Sequence, residues 1–334
     1  FKIGIKIGIS SGNIEWGIVG EDKNSFYFRG DAIDRCAKSQ LKANSEEIII
    51  HEALKQQLPA HYHVDPIAID YYVLTYKDLN FKLAAKDYPR TPLTRAVIER
   101  FIPNEILALN SDGEFRTVVS VFISFSGIST HKQLNRFANI VLDRVKNFSG
   151  YFKEIDFGDK GGVIPIFFGA PISFENSVDR ALEFVLSVCE ELKEAFGDQI
   201  QHRIGVTMGT AYTGFIGCSE RCQYAAVGNC VNLAARLMTY ADNGEILVDE
   251  DVQRSRQLKF KHKGNIRYKG FDGDLPTFIL KRRNTENKFV FTGEMVGRSK
   301  EMAQLEQFTA PLLNGKVAGV AYIYGEAGIG KSRL

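Results

Sequence analysis

A chain of 334 residues is too long for one small domain, and two or three are expected. Its 44% hydrophobic and 25% charged residues are ordinary for a globular protein. A formal net charge of +2 gives no electrostatic footprint for nucleic acid or a membrane surface, so neither partner is expected.

No apolar run is long enough to cross a bilayer, and no signal peptide is visible. The five cysteines are odd in number and scattered; Cys218 and Cys222 are close, but no second pair or nearby His completes a metal site. They read as reduced thiols of a cytoplasmic protein. The chain does not begin with Met and stops at Leu334 within what reads as a helix start, so both ends are expected to be cut.

In chain order, Lys2 to Ile9 alternates as a strand, and the glycines from Gly12 to Gly20 suggest a hairpin. Asp31 to Ala43 has helical spacing, and Glu47 to Ile50 is a short β-branched strand. Residues 87–115, with Pro89, Pro92 and Pro103, read as a linker between a first domain at 1–86 and a second at 116–284. Within the second, Val118 to Phe125 and Val163 to Phe168 are expected strands; Lys132 to Val145 and Ser177 to Ala195 are expected helices. Glu245 to Val248 and a strand pair around Ile266 to Leu280 complete an α+β sheet with helices on one face. A third segment, 290–334, carries a helix from about Lys300 to Leu313 and an apolar strand from Val317 to Tyr324.

One pattern occurs twice. Lys6 to Lys38 reads KIGISSGNIEWGIVGEDKNSFYFRGDAIDRCAK, and Arg203 to Arg236 reads RIGVTMGTAYTGFIGCSERCQYAAVGNCVNLAAR. Gly8, Gly12, Gly17 and Gly20 match Gly205, Gly209, Gly214 and Gly217 in one register. A one-residue insertion then sets Gly30, Asp34 and Lys38 against Gly228, Asn232 and Arg236. Repetition at this scale implies two related domains.

The last stretch, Gly325 to Ser332, reads GEAGIGKS after a predicted strand, the context a phosphate-binding loop requires. Gly325, Gly328 and Gly330 let backbone N–H groups reach phosphate oxygens; Lys331 would meet the β/γ phosphates and Ser332 a Mg²⁺. Residues from Val296 onward resemble the start of the signal-transduction P-loop ATPases.

In the second repeat, VGNCVNLAAR from Val227 to Arg236 places Asn232 and Arg236 four apart on one helix face. This run closely resembles the signature of the class III nucleotide cyclases. Phe157 to Gly161, Phe167 to Pro171, Glu175 and Arg180 extend the resemblance, toward two-cyclase bacterial proteins and soluble adenylyl cyclases. The resemblance implies two ferredoxin-like α/β sandwich domains, the first truncated, paired head to tail within the chain. It implies that Asn232 orients a ribose and Arg236 stabilises charge on the α-phosphate, a task for a fixed cationic fork. Lys269 and Lys6 match family lysines near the triphosphate.

In the family, two aspartates of one domain hold the Mg²⁺ or Mn²⁺ ions, and Asn and Arg come from the other. Here the first metal position falls at Ser124, a poor substitute for a carboxylate, and Asp159 lacks its partner. The first domain carries Asp34 and Lys38 in place of Asn and Arg. The metal aspartates are therefore expected upstream of Phe1, none in this chain, and the fragment is expected to be inactive alone. The base-reading positions fall at Glu154, with Lys153 beside it, and at Ala225, which offers no hydrogen bond. ATP is favoured as substrate, with GTP open. The position of the arginine that binds bicarbonate in soluble cyclases holds Ala37, so bicarbonate activation is not expected. The rival is a non-catalytic nucleotide-sensing module that regulates the ATPase.

Overall fold

The computed structural model describes residues 4–75, 91–110, 112–158, 161–218, 221–254, 258–283 and 297–324. The chain divides into two compact units, Phe1–Arg283 and Asn284–Leu334. No helix among the described residues is long and apolar enough to cross a membrane.

The first repeat opens with β1 (Ile7–Ile9), β2 (Glu15–Val19), β3 (Ser25–Arg29) and α1 (Asp31–Lys42). β4 (Ile48–His51), α2 (Glu52–Lys55), β5 (His63–Ala68) and β6 (Tyr71–Thr75) follow. Two sheets result, one ordered β1-β4-β6-β5 and one made of β2 and β3. The hairpin expected within 12–20 is displaced, because Glu15–Val19 is one arm only. The chain turns after Gly20, at φ +101°, and Ser25–Arg29 is the other arm.

The expected linker at 87–115 is partly helical. α3 (Arg95–Phe101) starts after Thr94, and α4 (Asn104–Leu107) starts after Pro103, where a proline costs no hydrogen bond. Lys23 Nζ donates to Glu99 O at 2.7 Å, Asn24 N to Arg100 O at 2.7 Å, and Arg100 Nη2 to Glu21 O at 3.1 Å. Ile106 is buried with Val118 and Tyr151, so this connector is part of the packed unit.

Its larger sheet contains nine strands among the described residues. They are β7 (Gly113–Ser126), β8 (Tyr151–Phe152), β9 (Asp156–Gly158), β10 (Gly161–Phe168), β11 (Gln201–Cys218), β12 (Arg221–Val227), β13 (Ile246–Val248), β14 (Leu258–Ile266) and β15 (Leu275–Arg283). The helices are α5 (His131–Asn147), α6 (Ser177–Phe196), α7 (Asn229–Tyr240) and α8 (Glu250–Gln253). α5 begins with a capping box in which Thr130 Oγ1 accepts from Gln133 N at 3.2 Å. The last strand pair lies further apart in sequence than expected. Arg267 to Asp274 is the turn between strands, and the lysines of β14 hide its alternation.

Helices cover both faces of this sheet, not one. Val119, Val121, Ile123 and Phe125 of β7 share a core with α5 and α6, while Val118 joins Cys230 and Val231 of α7. Successive strand residues face opposite sides, so α7 lies on the other face. Glycine permits its close approach. A Cβ on Gly205 would collide with Ala234 O and Met238 N of α7. In the first repeat a Cβ on Gly8 would collide with Cys36 O and Gln40 N of α1, the equivalent atoms in the repeat register. The two repeats therefore build the same strand–helix contact.

In the second unit, α9 (Ser299–Thr309) is shorter than expected and passes into a 3₁₀ turn, Ala310–Asn314, at Pro311. Val317 to Tyr324 is not a strand. Val317, Tyr322 and Tyr324 are exposed, and no described neighbour in this unit offers the run a ladder.

Asp249 caps α8, accepting from Val252 N at 3.0 Å, and also accepts from Met208 N at 3.3 Å. Burial pushes its carboxyl up to about 7. An unfolded Asp releases its proton near about 4, so the folded state binds the extra proton between those values, and stability falls as pH rises through that window. Asp249→Asn keeps an acceptor oxygen and should flatten this slope in urea titrations run from pH 4 to pH 8. Gly205→Ala should destabilise the unit by about 1–3 kcal/mol, read as a lower urea midpoint at unchanged slope.

Candidate functional site

α7 starts directly after the β11–β12 hairpin, with Gly228 as its N-cap. Its inward residues, Val231, Ala234, Leu237 and Met238, are buried, which fixes the helix rotation. Asn232 and Arg236 are both exposed, one turn apart, and neither side chain is hydrogen-bonded or ion-paired among the described residues. Their amide and guanidinium donors stand ready on one face.

Lys269 is exposed in the β14–β15 turn. That turn is fixed to the end of α7. Tyr268 packs edge-on against Tyr240 with ring centroids 5.8 Å apart, and Tyr268 and Leu237 share a buried cluster with Phe271 packed on it. Tyr268 Oη and Thr277 Oγ1, 3.0 Å apart, lock the turn to β15. The fold thus brings the Lys269 turn to the helix that carries Asn232 and Arg236.

Ala225 is buried on β12 opposite Gly214, on the strand leading into α7. Glu154 lies between β8 and β9, half-buried, with its Oε1 paired to Lys153 Nζ. The two candidates for reading a base therefore neutralise each other. Lys6 sits at the start of β1 in a groove lined by Ile33, Cys36, Ala37 and Gln40 of α1, not by α7. Asp159 and the loop Gly325 to Ser332 fall outside the described residues.

A second cleft, of about 360 Å³, opens between the repeats. The first repeat contributes Glu15, Arg29, Gly30 and Asp34; the other wall is Phe125 to Ser129, Phe157, Gly158, Gly161 and Gly162, ahead of the second repeat in the chain. Here the position equivalent to Asn232 is Asp34, facing the end of the strand that carries Ser124. Ser124 is half-buried and pairs with Arg203 and Val163. The described residues contain no group of three or more His, Cys, Asp or Glu able to hold a metal ion. A hydroxyl without a carboxylate cage does not fit the divalent cations of the expected chemistry.

What joins the repeats at this cleft was not foreseen. Val19 and Tyr27 of the β2–β3 hairpin enter the core formed by α5, α6 and the large sheet. Tyr27 Oη donates to Glu15 Oε1 at 2.8 Å and lies 3.0 Å from His131 Nδ1. Arg29 Nη2 reaches both Glu15 oxygens, at 2.8 and 2.9 Å, and Ser129 O at 2.8 Å; its Nη1 donates to Ile128 O at 3.2 Å. The bond from Tyr27, then that from Arg29, lowers the Glu15 carboxyl below the usual range. Burial, reinforced by Glu15, pushes Tyr27 up to about 12. The sequence held a signal for this network: in the repeat register Tyr27 and Arg29 stand where the second repeat has Ala225 and Val227.

Residues 165–282 match the family model for the adenylate and guanylate cyclase catalytic domain. This part of the chain is homologous to those catalytic domains. An uncharacterised protein of Mycobacterium tuberculosis is 34% identical over 140 residues, covering 39% of this chain and 25% of its own length. Another from the same organism is 26% identical over 209 residues, covering 58% of this chain and 36% of its own length. The chain thus spans well under half the length of these relatives. Among solved structures, the adenylyl cyclase CyaB from P. aeruginosa aligns with a TM-score of 0.47 and 20% identity, covering 52% of this chain and 97% of CyaB. The guanylate cyclase domain of RhGC from Catenaria anguillulae, in complex with GTP, aligns with a TM-score of 0.45 and 22% identity, covering 51% and 99%.

Arg29→Ala removes charge-assisted bonds to the carbonyls of Ile128 and Ser129 and should cost about 2 kcal/mol; Tyr27→Phe should cost about 1 kcal/mol. Glu15 has a lowered folded pKa, so its contribution is present above the ordinary carboxylate range and is lost as pH falls through the lowered value. Urea titrations over a falling pH series should show the part of the Arg29→Ala effect that runs through Glu15 shrinking as pH drops through that lowered value, while the part carried by the two carbonyls remains.

Proposed function

We propose that this chain is part of a class III nucleotide cyclase in which the domain at 116–284 supplies Asn232 and Arg236 to the reaction, and that the intact protein makes cyclic AMP and diphosphate from ATP. The observation that carries this reading is the pair of unengaged donors on α7, Asn232 and Arg236, inside the segment homologous to cyclase catalytic domains. In the first repeat the same face holds Asp34 and Lys38, whose charges and shapes suit neither task.

In the reaction the ribose 3′-oxygen bonds to the α-phosphorus. The bond from that phosphorus to the bridging oxygen breaks, diphosphate leaves with the electron pair, and the hydroxyl proton passes to water. Charge builds on the α-phosphate oxygens. The Arg236 guanidinium, always charged and forked, meets that charge best in the transition state. The Asn232 amide donates to the ribose and holds the 3′-hydroxyl in line. Lys269, on a turn seated against the same helix, reaches toward the triphosphate. Mg²⁺ or Mn²⁺ has no fitting carboxylates among the described residues, and no step is derived through it. Lys6 lies on the other repeat and is assigned no step.

The domains at 1–86 and 116–284, the connector between them and a phosphate-loop ATPase beginning near 290 make up the proposed order, with Lys331 and Ser332 binding ATP in the last. A guanylate cyclase is the second reading. A carboxylate at Glu154 accepts from guanine N1–H and N2–H, whereas Lys153 donates to adenine N1.

The test is cyclic nucleotide formation by the intact protein with Mn²⁺ and either ATP or GTP. Arg236→Ala should lower kcat by about 10²–10³-fold, and Asn232→Ala by about 10–100-fold. Lys38→Ala, at the first-repeat position that matches Arg236, should leave the rate unchanged. The 334-residue chain alone should form no product. Full activity in Arg236→Ala overturns the catalytic assignment. Nucleotide binding by the intact protein without product establishes the sensing module instead.

A further inference from the structure

A cavity of about 250 Å³ lies where the connector meets the large sheet. Phe101 of α3, Leu142 and Val145 of α5, Phe152 of β8, and Ile172 and Phe174 after β10 form its apolar walls. It shares no lining residue with the cleft at Asp34, and none comes from α7. An apolar cavity of about 150 Å³ takes up benzene, and sites for drug-sized ligands begin near about 300 Å³. This one therefore suits a molecule of one or two rings. Its phenyl walls gain more from a ring than from an aliphatic chain of equal area, because aromatic pairs attract beyond their burial.

Charge decides the rest of the guest. The charged side chains on the cavity wall are Lys23, Glu105 and Lys146. Lys146 Nζ is paired with Asp22 Oδ2 at 3.0 Å, and Glu105 is exposed to water. Lys23 is half-buried in the turn between β2 and β3. Its Nζ donates to Glu99 O at 2.7 Å, and no carboxylate pairs with it among the described residues. The Glu99 carboxylate is held by Arg95 Nε at 2.6 Å. An ammonium carries three donors, so Lys23 keeps donors for an anion. Beside apolar walls that attraction is stronger than in water.

Two wall residues lead to the candidate base-reading positions. Tyr151 also lines the cavity, and its Oη donates to Tyr224 O at 3.1 Å within the core. That carbonyl belongs to the peptide group joining Tyr224 to Ala225. The two tyrosine rings meet edge-on, with centroids 5.3 Å apart. Phe152 is followed directly by Lys153 and Glu154. Close-packed side chains transmit a displacement instead of absorbing it.

We propose that this cavity is an effector site for an aromatic carboxylic acid of one or two rings, with its carboxylate on Lys23, and that the occupant shifts Ala225 and Glu154 through Tyr151 and Phe152. The binding site stands without the cyclase reading above; its use in tuning the nucleotide site rests on that reading.

The test is titration calorimetry of the 334-residue chain with naphthoate and with its neutral analogue naphthylmethanol. The acid should bind at one site, about 10-fold more tightly than the alcohol. Lys23→Met keeps the apolar stem and removes the charge; it should erase that difference and leave alcohol binding intact. Ile172→Trp and, separately, Val145→Phe narrow the cavity, and each should weaken both ligands by about 10-fold or more. With naphthoate bound, the amide NMR signals of Ala225 and Glu154 should move, and should stay in place in Ile172→Trp. No saturable binding of the acid overturns the site, as does unaltered affinity in both narrowed variants. An acid preference that survives Lys23→Met overturns the anion assignment. Binding that leaves the Ala225 and Glu154 amides unmoved overturns the action on the base positions. Naphthoate binding to an intact protein that forms no cyclic nucleotide sinks the cyclase reading and leaves the site standing. An intact protein that forms cyclic nucleotide and binds no naphthoate does the reverse.

Discussion

The site depends on the absence of a side chain. Gly205 leaves the middle of β11 bare, and α7 lies close enough for its Ala234 carbonyl and Met238 amide to fill the space. Contact between backbones fixes height and rotation together, which side-chain packing alone would leave looser. With Val231, Ala234 and Leu237 turned inward, Asn232 and Arg236 have only the outer face to occupy. Gly8 under α1 repeats the arrangement with the same helix positions, although the outer residues there are Asp34 and Lys38. The seat is the same in both copies, and the residues on the outer face differ.

Divergence between the copies is physical as well as chemical. On the first hairpin, Tyr27 enters the neighbouring core and Arg29 ties Glu15 to the carbonyls of Ile128 and Ser129. A bulky ring and a fixed cation turn that cleft into a joint. On the second hairpin the same two positions are Ala225, which is buried, and Val227, which is exposed, and neither can form such a tie.

Much of this was legible in the sequence because glycine spacing reports backbone geometry directly. Gly8 and Gly205, Gly20 and Gly217, and Gly30 and Gly228 fixed the register, and the structure places each pair in equivalent surroundings. The helix bearing Asn232 and Arg236 was readable for the same reason. The exposed donors followed from its 3.6-residue period. Other features were hidden for identifiable causes. Pro92 and Pro103 read as linker breakers, yet a proline beside a helix start costs nothing: α4 begins directly after Pro103, and Pro92 lies ahead of the Thr94 cap of α3. β14 was obscured by Lys259, Lys261 and Lys263; Lys263 is held by Asp242 and Glu245, a pairing that depends on tertiary position. Val317 to Tyr324 shows the converse, since these β-prone residues have no neighbour to bond among the described residues of their unit and make no strand there. Placing α7 across the sheet from α5 and α6 required knowing which parity of β7 faces which helix, and no local pattern contains that.

β11 runs unbroken for 18 residues, from the centre of the sheet to the tip of the hairpin. At strand rise that is about 60 Å of one continuous beam. Its first part is clamped to β7 over fourteen positions, and its last part is stiffened by β12. Bending it would break a whole row of ladder bonds at once. The tip therefore inherits its aim from the sheet, and a load applied at Phe215 is carried to the seat of the helix without an intervening hinge.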